Sequence, residues 1–183
     1  MEKRYIGAQE LLLDSFQLAA RIYASGFRPD LLVGAWRGGT PVAIAVQEYL
    51  EFKGQKTDHM PLRISSYAGI DRRAADMRIE GMAAVAQRVS RDSAVLLVDD
   101  VFDTGCSAQA VLDELSRALG RDMRGALRIA CPWYKPARRT AAIKPDYFLH
   151  ETDQWLVFPH ELLGLTDEEI RSGKAPLARI VLG

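Results

Sequence analysis

The residues most able to do chemistry lie in one run, 95–107. A hydrophobic strand ends there in two adjacent carboxylates, and a short turn then opens a helix. The polar and glycine positions of this run are Asp99, Asp100, Asp103, Thr104, Gly105 and Ser107. Backbone N–H groups and hydroxyls at a helix start form an anion site. Acids beside an anion site need a positive or polyhydroxylated group between them, so the run predicts a ribose 5-phosphate with a nearby Mg²⁺.

A simpler interpretation is that Asp99 and Asp100 are solvated strand-end residues and that Thr104 or Ser107 caps the helix. The agreement of strand, acids, glycine and hydroxyls over the whole run favours the ligand site. The sequence has no G-x-x-x-x-G-K-[ST], G-x-G-x-x-G or G-x-S-x-G motif, which argues against a P-loop, a dinucleotide fold and a nucleophile elbow. The three histidines share no metal-ligand spacing, so we expect them to be structural or solvated.

The elements that must position this run alternate between strand and helix. Hydrophobic periodicity and helix-boundary residues predict helices over 8–26, 40–54, 107–119 and 166–172. Buried apolar runs predict strands over 30–36, 57–66, 94–98 and 125–131. This alternation predicts an α/β domain with a central, mostly parallel sheet flanked by helices. Such sheets bind ligands beyond the carboxyl ends of their strands.

The sequence allows more detailed predictions for two of the helices and for one loop. The apolar face of the first helix is predicted to consist of Leu11, Leu12, Phe16, Ala19, Ile22 and Tyr23. Thr166 and Glu169 have the spacing of a capping box at the start of the last helix. The arginine-rich stretch 68–93 is expected to be a loop, alone or with short elements, that closes over a bound ligand.

Composition limits the class of protein. The chain has 183 residues, 48% hydrophobic and 26% charged, as expected for one folded domain over 1–183. Its 24 basic and 24 acidic residues balance, which gives no reason to expect nucleic acid or an anionic membrane as a partner. No apolar run approaches the roughly 18 residues that span a bilayer, and the N-terminus lacks a signal core. Cys106 and Cys131 cannot form a disulfide framework, so a cytoplasmic location is expected.

The run 98–107 resembles the phosphoribosyl-diphosphate (PRPP) signature of the type I phosphoribosyltransferases. Residues 32–39 are similar to the pyrophosphate loop of that family, and residues 64–67 to the start of its flexible hood loop. Later segments resemble the base-binding half of the 6-oxopurine enzymes, especially the xanthine-guanine type; they are 135–136, 145–147 and 153–159. The resemblance spans roughly residues 5–162.

The resemblance implies roles for residues of the PRPP site. Asp99 and Asp100 would hold the ribose hydroxyls, directly or through Mg²⁺, and Asp103 would assist proton movement near purine N7. The residues that would cradle the 5-phosphate are Thr104, Gly105, Cys106 and Ser107. The residues of the loop that would hold the pyrophosphate are Trp36, Arg37, Gly38 and Gly39. The hood arginine that contacts pyrophosphate stays open among Arg72, Arg73 and Arg78.

The resemblance also implies how a base would bind. Lys135 would donate to the purine 6-oxygen, Trp155 would stack on the ring, and backbone carbonyls around Leu156 would contact position 2. Two departures from the family pattern are visible: Cys106 stands where glycine, lysine or glutamate is common, and His160-Glu161 replaces a commoner Trp-Asp pair. A second-metal role for Glu161 is therefore not carried over.

The fold implied is a core over about 28–132 with a small hood from about 1–10 and 133–165. The activity implied is Mg²⁺-dependent transfer of the phosphoribosyl group from PRPP to hypoxanthine, guanine or xanthine in purine salvage. The products would be a nucleoside 5′-monophosphate and pyrophosphate, and the protein is expected to be a homodimer or a higher oligomer. Two alternatives stay open: a non-catalytic PRPP-binding regulator, and a phosphoribosyltransferase for another base.

Overall fold

The alternation of strand and helix seen in the sequence is retained in the computed structural model, which describes residues 3–66 and 77–183. The strands are β1 (Lys3–Tyr5), β2 (Leu31–Trp36), β3 (Asp58–Ser66), β4 (Met77–Glu80), β5 (Val95–Val98), β6 (Val101–Phe102), β7 (Leu127–Ala130), β8 (Trp133–Tyr134), β9 (His150–Glu151) and β10 (Trp155–Val157). The helices are α1 (Ala8–Ala24), α2 (Gly39–Phe52), α3 (Met82–Arg88), α4 (Cys106–Leu119), α5 (Asp167–Gly173) and α6 (Ala175–Val181). A 3₁₀ turn covers Pro136–Arg138. Tyr67, Arg72 and Arg73, named above for the hood loop, lie outside the described residues.

The central sheet has the strand order β4-β3-β2-β5-β7. All neighbouring pairs are parallel except β3 with the edge strand β4. The register aligns Gly34 with Val98 and Val98 with Ala130, so the carboxyl ends of β2, β5 and β7 lie at one edge of the sheet. The predicted fold class, a mostly parallel sheet flanked by helices, is confirmed.

The main apolar core lies against the face of this sheet that carries α3 and α4. β5 contributes four fully buried residues, 95–98, as expected for a central strand covered on both faces. Leu112 and Leu115 of α4 and Met82 and Val85 of α3 pack into the same cluster. Burial of each such side chain stabilises the fold by roughly 1.5–3 kcal/mol. The core therefore holds β5 in place, and Asp99 directly follows this strand.

The buried face of α1 differs from the predicted one. Leu12 and Phe16 are exposed, whereas Asp14 is buried. The carboxylate of Asp14 lies 2.9 Å from Nε2 of His150, which also stacks on the ring of Trp133. Leu11, Ala19 and Ile22 are buried as predicted, so the prediction is confirmed in part, and a polar residue with a partner shares the inner face with them.

Contacts divide the chain into two compact units. One unit comprises the residues up to Leu11 with Gln154–Gly183, and the other comprises Leu12–Asp153. The larger unit contains the central sheet and a small parallel sheet of order β6-β8-β9. It also contains residues 133–153, which the sequence analysis assigned to the hood. The smaller unit contains the parallel pair β1-β10 with α5 and α6. In the described part of the chain, no helix is long and apolar enough to cross a membrane.

The capping box at the start of α5 is present as predicted. Thr166 Oγ1 accepts a hydrogen bond from the Glu169 amide, and the Glu169 carboxylate accepts one from the Thr166 amide. The sequence did not predict the six short strands β1, β4, β6, β8, β9 and β10, because segments of two to four residues are too short to show a periodicity.

Candidate active site

The turn that follows β5 lines a cavity of about 220 Å³ at the carboxyl edge of the central sheet. Residues 99–108 form one wall of it, together with Ile64, Met77, Leu97 and Ile129. The predicted chemical run therefore lies where parallel α/β sheets bind their ligands. We call this space the strand-end cavity.

Asp99 and Asp100 meet at the floor of the strand-end cavity. The Asp100 amide donates a hydrogen bond of 3.0 Å to Asp99 Oδ1, and the Asp100 side chain is buried. Burial, and then the neighbouring charge of Asp100, raise the pKa of Asp99 well above its usual range. A cation or a set of hydroxyl donors beside the pair would stabilise its ionised form.

The donor set fits Mg²⁺ of the kind that is bound mainly through a substrate. Mg²⁺ takes one or two carboxylates and completes its octahedron with water and phosphate oxygens. Within residues 3–66 and 77–183, no cluster of three or more His, Cys, Asp or Glu side chains could hold a metal alone. Asp99 and Asp100 would thus hold the ion together with oxygens of a bound diphosphate.

The loop after β2 packs directly against the acidic pair, because two of its residues have no side chain. A Cβ on Gly38 would lie 1.9 Å from Asp100 Oδ2, and a Cβ on Gly39 would lie 2.3 Å from the Val98 carbonyl oxygen. The loop backbone therefore lies beside the end of β5. The peptide bond between Trp36 and Arg37 is cis.

Arg37 lies at the mouth of a second cavity of about 560 Å³, lined by Trp36, Arg37, Arg63 and Ile64. Arg63 was missed in the sequence, where one arginine in a strand carries no distinguishing pattern. Glu80 pairs with both Arg63, at 3.0 Å, and Arg78, at 2.9 Å. Arg78 is thus the one hood-loop candidate that the described residues include, and its guanidinium is held by Glu80.

The start of α4 is formed by a glycine in the left-handed region. Gly105 has a φ of +81°, and a Cβ there would lie 2.5 Å from the Phe102 ring, so only glycine fits. The Thr104 hydroxyl accepts a hydrogen bond of 3.3 Å from the Cys106 amide. This arrangement presents the first turn of α4 and its hydroxyls to the strand-end cavity, as an anion site requires.

Both cysteines are buried. The Cys106 sulfur lies 3.6 Å from Thr140 Oγ1, within the turn as expected. Burial and the charge of Asp99 raise the pKa of Cys131 well above its usual range. Cys131 therefore stays a protonated thiol that packs behind the carboxylates.

Two cations surround Asp103, which lines the strand-end cavity. Lys135 follows β8 and is 4% exposed; its Nζ lies 3.8 Å from Asp103 Oδ2, which is too far for a hydrogen bond. Arg138 Nε lies 2.8 Å from Asp103 Oδ1. That oxygen is buried and accepts no hydrogen bond from the described residues, so Arg138 contributes positive charge there without a hydrogen bond. The sequence resemblance assigned Lys135 to the purine 6-oxygen and Asp103 to purine N7, and it gave Arg138 no role.

Trp155 and Leu156 belong to β10 of the smaller unit. The Trp155 side chain is half exposed, whereas that of Leu156 is buried. Within this unit, the Ile6 amide donates a hydrogen bond of 2.9 Å to the Val157 carbonyl. Because successive carbonyls along a strand point to opposite edges, the Leu156 carbonyl lies on the edge of β10 away from β1.

The fold and the site together define a class: an α/β protein with an anion-binding crevice at the carboxyl edge of its sheet, built beside a pair of carboxylates. The family model described as the phosphoribosyl transferase domain matches residues 6–163, and the chain belongs to this family. Membership implies the pentosyltransferase reaction, with PRPP and a base as substrates and pyrophosphate as a product. No curated protein has a matching sequence.

Solved structures show the same fold. A purine phosphoribosyltransferase from Pyrococcus horikoshii is 24% identical with a TM-score of 0.67, covering 91% of this chain and 98% of its own. A Neisseria gonorrhoeae protein with bound ppGpp is 20% identical with a TM-score of 0.72, covering 96% and 99%. The Helicobacter pylori xanthine-guanine-hypoxanthine phosphoribosyltransferase is 19% identical with a TM-score of 0.68, covering 95% and 99%. At these identities the likeness shows the fold alone.

Proposed function

We propose that the protein transfers the 5-phosphoribosyl group of PRPP to a 6-oxopurine, namely hypoxanthine, guanine or xanthine, in the presence of Mg²⁺. The products are a nucleoside 5′-monophosphate and pyrophosphate. The observation that carries the proposal is the buried lysine, Lys135, held 3.8 Å from the carboxylate of Asp103. This pair offers a donor and an acceptor side by side, which suit the O6 and N7–H edge of a 6-oxopurine.

The PRPP half of the reaction uses the edge of the central sheet. Asp99 and Asp100 hold the ribose hydroxyls and the metal, and the first turn of α4 holds the 5-phosphate. Arg37 and the amides of the glycine loop bind the diphosphate. Breaking the bond from C1′ to the diphosphate leaves negative charge on the leaving group, and fixed positive groups aimed there lower the barrier. Bound Mg²⁺ would supply charge neutralisation at the diphosphate.

The base half uses a proton transfer. As purine N9 bonds to C1′, the proton on N7 becomes acidic, and Asp103 accepts it. Lys135 donates to O6 and stabilises the charge that develops on the ring. Adenine would place an amino group against the Lys135 ammonium, donor against donor. Trp155 is assigned to ring stacking and the Leu156 carbonyl to contact with position 2.

The names of the similar proteins agree with this choice of base. Two of them are purine phosphoribosyltransferases, and the third was solved with ppGpp, a guanine nucleotide. The alternatives are a non-catalytic PRPP-binding regulator and an enzyme for another base. A regulator would bind PRPP without turnover, and an enzyme for another base would leave Lys135 without a role.

The test is a panel of bases with PRPP and Mg²⁺, run on the wild type and two lysine variants. Hypoxanthine, guanine or xanthine should be used, and adenine should be poorer by about 10⁴-fold, because a buried mismatch of donors is costly. Lys135→Met should lose most of the 6-oxopurine activity. Lys144→Met removes an exposed lysine and should behave as the wild type. Efficient use of adenine by the wild type would refute the choice of base.

A further inference from the structure

Arg138 contacts the carboxylate of Asp103 in an unusual way. Its Nε lies 2.8 Å from Asp103 Oδ1, yet the oxygen accepts no hydrogen bond from the described residues. Lys135 approaches the other oxygen, Oδ2, at 3.8 Å. The carboxylate is thus held between two cations, one on each oxygen, and neither cation forms a hydrogen bond with it.

The chain segment that carries Arg138 is fastened to the turn that carries Asp103. The Lys135 amide donates a hydrogen bond of 2.9 Å to the Phe102 carbonyl. The amides of Thr140 and Ala141 both donate to the Thr104 carbonyl at 3.0 Å. We call residues 135–141 the clasp segment. Because its two ends are bonded on either side of Asp103, Arg138 has a fixed place relative to that carboxylate.

The gap between Lys135 and Asp103 has to stay open for a base to enter. A lysine and an aspartate 3.8 Å apart attract each other and can close into a direct ion pair. Such a pair would use the donor and the acceptor that the O6 and N7–H edge needs. Attraction from Arg138 on the opposite oxygen counters this closure, since it holds the carboxylate back from Lys135.

We propose that Arg138 is a positioning residue, which holds the Asp103 carboxylate open toward the base. The inference rests on the proposed function, in which Asp103 accepts the N7 proton. Arg138 itself contacts neither PRPP nor the reacting atoms in this account. Its loss therefore affects the use of the base and leaves the binding of PRPP unchanged.

Steady-state kinetics of three variants test this role. Arg138→Gln should lower kcat/KM for the base by about tenfold to a hundredfold, the scale expected when a catalytic group is misplaced by about an ångström. The KM for PRPP should stay within about twofold of the wild type, and Arg138→Lys should recover much of the loss because it restores the charge. Arg139→Gln is the matched control, since Arg139 is exposed and donates to the Ala141 carbonyl at 2.7 Å; it should keep wild-type kinetics.

The variants are expected to fold, because an exposed ion pair contributes little to stability. Wild-type kinetics in Arg138→Gln, or an equal loss in Arg139→Gln, would overturn the proposal. Failure of the wild type to use any 6-oxopurine would refute the proposed function instead. Amide hydrogen exchange over residues 136–141 then tests the contact between Arg138 and Asp103 by itself. Exchange should become faster in Arg138→Gln than in Arg139→Gln, and equal rates would show that this contact does not hold the clasp segment in place.

Discussion

At the scale of single residues, the site consists of charged side chains held close together. Burial and Asp100 make the ionised form of Asp99 costly, and Asp103 stands between two cations. A buried carboxyl beside a second carboxyl, and a carboxylate between two cations, are typical of ligand-binding and catalytic sites. In the proposed function, the strand-end carboxylates Asp99 and Asp100 receive the ribose hydroxyls and the metal.

Substitution of Asp100 tests this directly. Asp100→Asn keeps the shape of the side chain and removes its charge, so turnover should fall by about 10²-fold or more while the protein stays folded. Circular dichroism checks the fold and an initial-rate assay the activity. Asp92→Asn, a change at an exposed acid, should leave the rate unchanged. Wild-type turnover in Asp100→Asn with saturating PRPP would contradict the assignment.

The sequence predicted that this run follows a buried strand and opens a helix, because the strand, the acidic pair and the glycine-hydroxyl turn agree in their placement; the roles of these residues in binding stay predictions. It did not predict Arg63 or Arg138. An isolated arginine in a strand or polar connection looks like any solvated side chain, and only the fold shows that Arg138 faces Asp103.

At the scale of elements, two loops meet at the carboxyl edge of the sheet because glycine permits it. Gly39 begins α2 and lies against the backbone of Val98 and Asp99. Strand pairing between β2 and β5 brings the two loops together. The close packing of the glycine loop after β2 therefore helps to position this loop beside the acidic pair.

Gly39→Ala should disturb this packing. The new Cβ would lie 2.3 Å from the Val98 oxygen and 2.7 Å from the Asp99 Cα, so backbone has to shift, at a cost of about 1–3 kcal/mol in the free energy of unfolding. Activity should fall as well. Gly125→Ala is the matched control, because a Cβ there meets nothing within 4 Å. Equal stability of the two variants in urea unfolding would count against the close approach.

Helix α5 provides a prediction that depends on pH. Hydrogen bonds from Lys3 and from the Thr166 amide lower the pKa of Glu169. A lowered pKa in the folded state stabilises the protein above the ordinary carboxyl value, and this contribution is lost as the pH falls through the folded value. Glu169→Gln should thus be less stable than the wild type at pH 7, with the difference shrinking toward pH 3.

Thermal unfolding across this range measures the effect. Glu168→Gln, an exposed neighbour in the same first turn, is the control and should show a smaller change at pH 7. A difference between Glu169→Gln and the wild type that does not depend on pH would refute the role of the Glu169 charge.

The longer elements were predictable from their periodicity, and the buried face of α1 was predictable only in part. Asp14 can be buried because it has a partner in His150. This partner is 136 positions away in sequence, and a local pattern cannot contain that contact. The same reason explains the missed short strands, which form by pairing with distant segments and not by their own propensity.

At the scale of the whole molecule, the family match over residues 6–163 spans most of the chain. The chain has no net charge, yet its cations and anions are separated locally, with arginines near the glycine loop and carboxylates at the end of β5. This separation suits a substrate that carries both a diphosphate and a ribose.

The most direct test of the central claim is the stoichiometry of the reaction. The wild type, incubated with PRPP, Mg²⁺ and each 6-oxopurine, should form nucleoside monophosphate and pyrophosphate in equal amounts, and Asp100→Asn should form little of either. Binding of PRPP without any nucleotide product from any base would contradict the account and identify a PRPP-binding regulator instead.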